Sequence, residues 1–155
     1  MGFSYMQGKK LKVSVVMPVY NEKNFLPEIV KRAVSTGIPD ELIIVDDFST
    51  DGTRDMIERM KKSWGANTCA LRVVLQEKNM GKGAALRAGF KNVTGDIIII
   101  QDADLEYDPK DFPKLLLPIL DGRADVVFGS RFLGDTHRAL FFWHMVGNRM
   151  LTFFS

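Results

Sequence analysis

Short runs of aliphatic, often β-branched residues alternate along this chain with stretches whose apolar positions recur at helical spacing. That alternation restricts the fold more than any other feature. The first run, Leu11 to Met17, ends at Pro18, which fits a buried parallel strand running into a loop. Glu22 to Ser35 then sets Phe25, Leu26, Ile29, Val30, Ala33 and Val34 on one stripe, and Gly37 and Pro39 stop it. The pattern repeats: strand at Glu41 to Val45 and helix at Thr53 to Trp64, ended by Gly65; strand at Ala70 to Leu75 and helix at Gly83 to Val93, ended by Gly95. Asp96 to Ile100 is the most apolar strand, Pro109 starts a helix reaching about Leu120, and Ala124 to Phe128 reads as a fifth strand. The expected fold class is α/β, a mainly parallel twisted sheet with helices on both faces. In such sheets ligands bind outside the carboxyl ends of the strands.

A chain of 155 residues with 46% hydrophobic content can build one substantial core. The formal charge of +2 arises from 21 basic and 19 acidic residues that are interspersed along the chain, so bulk attraction to nucleic acid is not expected. A single cysteine, Cys69, excludes an internal disulfide, and with only His137 and His144 as histidines no Cys/His spacing reads as a zinc site. A cytosol-facing location fits. Residues 1–10 lack the apolar centre of a signal peptide and read as a short leader. No apolar run reaches the roughly 18 to 20 residues of a membrane-spanning helix.

The unusual polar residues cluster just after the strands. Pro18, Val19, Tyr20, Asn21 and Glu22 follow the first; Asp46, Asp47, Ser49, Asp51 and Gly52 follow the second; Asp102 and Asp104 follow the fourth; Gly129, Ser130 and Arg131 follow the fifth. Two carboxylates spaced Asp-x-Asp can address one hard cation, with Mg2+ or Mn2+ keeping water or phosphate oxygens on its remaining positions. The same spacing also suits a simple turn or helix cap. Asp46 and Asp47 stand where a carboxylate can accept from a ribose hydroxyl or a base edge. Asn79 to Gly83 opens a helix and places Lys82 at its start. It is no Walker loop, since Gln76 and Gly83 stand where Gly and Ser or Thr are required, and Leu86 breaks a dinucleotide fingerprint. Lys82 then reads either as a phosphate-binding cation or as a solvated lysine. Arg131 reads as a phosphate partner or as half of a structural salt bridge.

Together, VVMPVYNE (15 to 22), IIVDDFSTDGT (43 to 53), NMGKGAALRAG (79 to 89), DIIIIQDADLEYDP (96 to 109) and VVFGSRF (126 to 132) resemble glycosyltransferase family 2. Within it they are most similar to the dolichol-phosphate mannose synthases and other polyprenyl-phosphate glycosyltransferases. The resemblance implies a GT-A fold and an inverting transfer from a nucleoside-diphosphate sugar such as GDP-mannose or UDP-glucose. It implies that Pro18, Tyr20 and Glu22 line the nucleotide pocket, with Val45 and Asp47 at the base and ribose. Asp102 and Ala103 touch the donor, Asp104 ligates the metal, Glu106 approaches it, and Arg131 faces the diphosphate or an acceptor phosphate. Phe48 departs from the Asn or Gly common in the family at that position.

The resemblance also implies a lipid-phosphate acceptor. A phosphate monoester is already mostly ionised at neutral pH, its second pKa being about 6, so such an acceptor needs no general base. A saccharide hydroxyl would need one, and a non-catalytic nucleotide-sugar-binding module would need neither. Arg138 to Phe154 is rich in aromatic and aliphatic residues with His137, Arg138, His144 and Arg149 interleaved. Such a segment suits a membrane interface or, alternatively, a core helix. The expected organisation is a leader at 1–10, a catalytic domain at 11–135, and the start of an amphipathic segment at 136–155. The apolar pattern is still running at Ser155, so the natural protein is expected to continue and to work at the cytoplasmic face of a membrane, this portion alone being soluble.

Overall fold

The computed structural model of the chain describes residues 5–6, 9–65 and 68–129. A small ribbon comes first, β1 (Tyr5–Met6) antiparallel to β2 (Lys9–Lys10). The body follows as β3 (Val13–Val19), α1 (Leu26–Ser35), β4 (Glu41–Asp46), α2 (Thr53–Lys62), β5 (Ala70–Leu75), α3 (Lys82–Phe90) and β6 (Ile97–Ile100). A 3-10 turn (Pro109–Asp111) then leads into α4 (Phe112–Leu120). Strands β3 to β6 form one sheet in the order β5-β4-β3-β6, and every pairing is parallel.

The chain winds outward from β3 to β4 to β5, then returns to place β6 on the other side of β3. Right-handed crossovers in opposite directions put their helices on opposite faces of the sheet. Val13, Val15, Met17 and Val19 of β3, with Leu42, Ile44, Ile97 and Ile99, accordingly meet α1, Ile57 of α2, and Phe112 and Leu116 of α4. Val16, Ile43 and Val45 meet Ala85 of α3 on the other face. There α3 lies so close that a Cβ on Gly89 would stand 2.5 Å from Val16 Cγ1, which only glycine avoids. The reversal leaves a switch point between β3 and β6, and the loops leaving those two strands open a crevice at its carboxyl end.

One expectation is corrected. Residues 124–128 form no strand, and Val126 and Phe128 are 65% and 90% exposed. Strand propensity reports fit to a pleated, half-buried surface, and among the described residues no neighbour pairs with this segment to supply one. The four isoleucines of β6 divide between two environments. Ile97 and Ile99 face the α1 side, whereas Ile98 and Ile100 remain half-exposed because α3 lies over β3 and β4.

At the amino ends of the strands, opposite the crevice, the buried Glu41 carboxylate clasps three segments together. Its Oε1 accepts from Ser14 Oγ at 2.5 Å, Thr94 N at 2.6 Å and Gly95 N at 3.2 Å, and its Oε2 from Thr94 Oγ1 at 2.9 Å. Burial by itself raises this carboxyl, but the bonds from Ser14, Thr94 and Gly95 outweigh it and hold Glu41 below its ordinary 4.5. A depressed folded-state pKa means the clasp contributes fully above 4.5 and is lost as pH falls through the folded value. Glu41→Ala, which orphans buried donors, lowers the unfolding free energy by about 1–3 kcal/mol at pH 7. Denaturant titrations at descending pH should show the gap to wild type closing below pH 4.5.

Candidate functional site

Three loops leave the carboxyl ends of β3, β4 and β6, and each carries a non-glycine residue in the left-handed region: Asn21 (φ 56°), Phe48 (φ 64°) and Leu105 (φ 62°). Such conformations cost about 1–3 kcal/mol each and persist where surrounding bonds over-determine them. Asn21 and the β4 loop hold each other: Ser49 Oγ accepts from Asn21 N at 2.9 Å and Asn21 Oδ1 accepts from Thr50 N at 2.8 Å. Asp51 Oδ2 adds an acceptor for Lys23 N at 3.2 Å. The loop after β6 is braced from below by Gln101, whose buried amide donates to the carbonyls of Asp102 (3.0 Å) and Tyr107 (3.2 Å). Asp104 Oδ1 then accepts from Glu106 N at 3.1 Å, closing an Asx turn.

Asp47 carries the fourth wall. Its carboxylate is only 3% exposed. Oδ1 accepts from Gln76 Nε2 at 2.8 Å and Met80 N at 2.9 Å, and Oδ2 from Gly81 N at 2.7 Å. These bonds pin the loop that enters α3, where Gly81 sits at φ 83°. Lys82, the first residue of the helix, thereby faces β6, and its Nζ lies 2.7 Å from both Oδ1 and Oδ2 of Asp102.

Between these loops lies a cleft of about 370 Å3, lined among others by Pro18, Tyr20, Glu22, Asp47, Lys82, Asp102, Ala103 and Asp104. Its electrostatics are acidic. Glu22 titrates above its ordinary 4.5, first because it is partly desolvated and then because Asp104, Asp51 and Asp102 repel its charged form. A cation would find such a place favourable. The donor set suits a hard divalent ion, because carboxylate oxygens are its preferred ligands. Among the described residues, however, no three acidic, histidine or cysteine side chains gather into a complete metal site. An ion held here would take its other ligands from water or from a bound phosphate group.

Eight of the residues singled out in the sequence therefore meet in one cleft. Two others do not line it, and a third lies outside the described residues. Val45 is fully buried against Val16, Ile43 and Ala85, so its side chain belongs to the core. Glu106 supplies its backbone N–H to Asp104 and is not among the lining residues. Arg131, with the whole segment 136–155, lies outside the described residues. Asp46 does not form a second acidic pair with Asp47 for a ligand. It is completely buried and bound by Arg54, through Nε at 2.8 Å and Nη2 at 2.7 Å, while that guanidinium also donates to the Gln76 carbonyl at 2.7 Å. Arg54 further lies over the Phe48 ring, 5.2 Å from its centroid. Gln76, Gln101 and Arg54 were not singled out in the sequence; that their amides and guanidinium meet Asp47, the β6 loop and Asp46 is seen only in three dimensions.

A sequence-family model, Glycosyl transferase family 2, matches residues 14–154. The chain belongs to glycosyltransferase family 2. Solved structures agree. A mannosyltransferase from Pyrobaculum calidifontis, in complex with GDP-Man and Mn2+, is 30% identical with a TM-score of 0.55 over 66% of this chain and 29% of that one. Glucosyl-3-phosphoglycerate synthase from Mycobacterium tuberculosis, with Mn2+, UDP and glucosyl-3-phosphoglycerate, is 30% identical with a TM-score of 0.55 over 71% and 40%. S. aureus TarS is 28% identical with a TM-score of 0.58 over 72% and 33%. The fold is thus the GT-A arrangement of this family, and the chain spans less than half the length of the solved relatives it matches.

Stability can read the Arg54–Asp46 pair of this chain. Arg54→Ala leaves a buried carboxylate without its cation, and unfolding free energy should fall by about 3 kcal/mol, the lower end for broken buried pairs because Arg54 is partly exposed. Arg54→Lys should recover less than half, lacking the fork that reaches Asp46 and Gln76 together. Urea titration of the three proteins checks both statements.

Proposed function

We propose that this chain is the donor-binding catalytic portion of an inverting glycosyltransferase that moves a sugar from a nucleoside diphosphate to a polyprenyl or dolichyl phosphate, using Mg2+ or Mn2+. The observation that carries the donor half of the reading is the meeting, at one switch-point cleft, of the Asp102-Ala103-Asp104 turn with Lys82, Glu22 and Asp47. The family 2 relatives solved with nucleotide and Mn2+ support it. Pro18 and Tyr20 form the wall for the nucleoside. Asp47, three of whose acceptor positions already hold the loop before α3, shapes the pocket and has lone pairs left for a base or ribose. Asp104 is the direct metal ligand, with Glu106 beside it in the turn, and Asp102 addresses the donor. Arg131 faces the diphosphate or the acceptor phosphate.

In the reaction an acceptor phosphate oxygen attacks the anomeric carbon, the bond from that carbon to the donor's β-phosphate oxygen breaks, and the configuration inverts. The nucleophile arrives ionised, so the cleft has to orient it and stabilise the departing diphosphate rather than remove a proton. The bound metal supplies charge neutralisation at that leaving group. The lipid acceptor is supported by the sequence segments similar to polyprenyl-phosphate transferases and by the aromatic, basic stretch at 136–155, which on this reading meets the cytoplasmic membrane surface. A saccharide or other hydroxyl acceptor is the second reading, favoured by the relative whose structure holds glucosyl-3-phosphoglycerate.

Calorimetric titration with GDP and UDP should show nucleotide binding that strengthens with Mn2+, and Asp104→Ala should weaken the Mn2+-supported binding by about tenfold or more, equivalent to about 1.4 kcal/mol. Metal-independent binding that Asp104→Ala leaves unchanged defeats the donor reading. For the acceptor, a transfer assay offering polyprenyl phosphate and a free sugar side by side should give glycosylated lipid at least about a hundredfold faster, roughly 2.7 kcal/mol in the barrier. Equal rates on both defeat the lipid-phosphate assignment alone.

A further inference from the structure

Lys82 stands in an unusual position for a phosphate-binding cation, because it is already engaged. Its ammonium reaches both oxygens of Asp102 at 2.7 Å, on the turn whose other carboxylate is Asp104. We infer that Lys82 is a resident counter-ion that, by placing its positive charge on Asp102, disfavours a metal on the neighbouring Asp104 until the donor's diphosphate arrives and takes the ammonium over, so that metal and nucleotide enter as one unit. The inference rests on the donor-binding reading above and deepens it.

Three features of the site support the exchange. First, the protein's own ligands are too few: no three metal-binding side chains gather among the described residues, so an ion arriving alone finds an incomplete shell and a positive charge on Asp102. A diphosphate changes both, bringing oxygens for the ion and anionic partners for the ammonium. Second, the pair is easily broken. The side chains are 59% and 20% exposed, and ion pairs near water contribute little net stability. Third, the backbone under Lys82 is fixed while its head is free to swing. Asp47 anchors the amides of Met80 and Gly81 immediately before it, and the four-carbon stem of lysine, with three rotatable donors, can re-aim over a few ångströms. Lys82 is on this account a positioning residue that couples two ligands: in place it disfavours metal alone, and released it favours the metal-nucleotide complex. Reciprocity requires that the metal strengthen nucleotide binding by the same factor.

The experiment is calorimetry with Mn2+ alone, with GDP or UDP alone, and with Mn2+ at saturating nucleotide, on the wild-type chain, Lys82→Gln and Lys82→Arg. Wild type should bind Mn2+ alone weakly and at least about tenfold more tightly with nucleotide. Lys82→Gln should bind Mn2+ alone about tenfold more tightly than wild type, since a repelling charge has left Asp102, yet show a smaller gain on adding nucleotide. Lys82→Arg, which keeps the charge, should follow wild type for Mn2+ alone. Because Lys82 is largely exposed, coincident thermal unfolding curves will establish that Lys82→Gln is folded. Unchanged or weaker binding of Mn2+ alone by folded Lys82→Gln overturns the inference. A wild-type protein that binds no nucleotide under any condition defeats the donor reading instead, and the comparison with Mn2+ alone still decides whether Lys82 guards the Asp102–Asp104 turn.

Discussion

The Asp47 carboxylate sits at the end of β4, almost wholly out of water, with three donors converging on its two oxygens. A charge in that position is tolerable only because each bond is charge-assisted, and a carboxylate stripped of them would be expensive to bury. In return it fixes the path of residues 76–81, sets the first turn of α3, and so determines where Lys82 can reach. The cation opposite the acidic floor is thus placed by one buried group, while the floor itself is braced by Gln101. Asp46, one residue earlier and pointing to the opposite side of the strand, performs a separate task with Arg54. Adjacent residues on a strand face opposite ways, so an Asp-Asp dipeptide naturally divides between two environments.

Strain and bracing are concentrated at the same end of the sheet. All three left-handed non-glycine residues among those described lie in the loops after β3, β4 and β6, and buried amides or carboxylates stand under them. The amino end is simpler: Glu41 ties Ser14, Thr94 and Gly95 together. Parallel strands make this division possible, because every strand delivers its following loop to one edge, where chemistry gathers, and leaves the other edge to structural clasps. The GT-A cleft of family 2 is a switch-point crevice in that general sense.

Much of the fold was legible in the chain itself. The four paired strands of the main sheet, the helices between them and the presence of helices on both faces all follow from apolar periodicity, and the strand-end segments carried enough motif to indicate the family. What failed did so for identifiable reasons. Residues 124–128 have the composition of a strand but no neighbour among the described residues to pair with, and pairing is a property of two segments. Ile98 and Ile100 were indistinguishable in sequence from Ile97 and Ile99, and only the position of α3 decided that one pair would stay half-exposed. Val45, which the resemblance set at the base and ribose, packs its side chain in the core with Val16, Ile43 and Ala85.

By itself the sequence determined the alternating α/β plan, the edge of the sheet at which polar residues would collect, and the family. These depend on local periodicity and on short contiguous motifs, which a one-dimensional string contains in full. Tertiary structure alone decided that Asp47 is an anchor, that Asp46 belongs to Arg54, and that Lys82 rests on Asp102 across a separation of 20 residues. Those outcomes depend on which groups are buried together and which charges become neighbours, quantities set by the packing of β3 to β6 and α3 and by no segment of the chain taken singly.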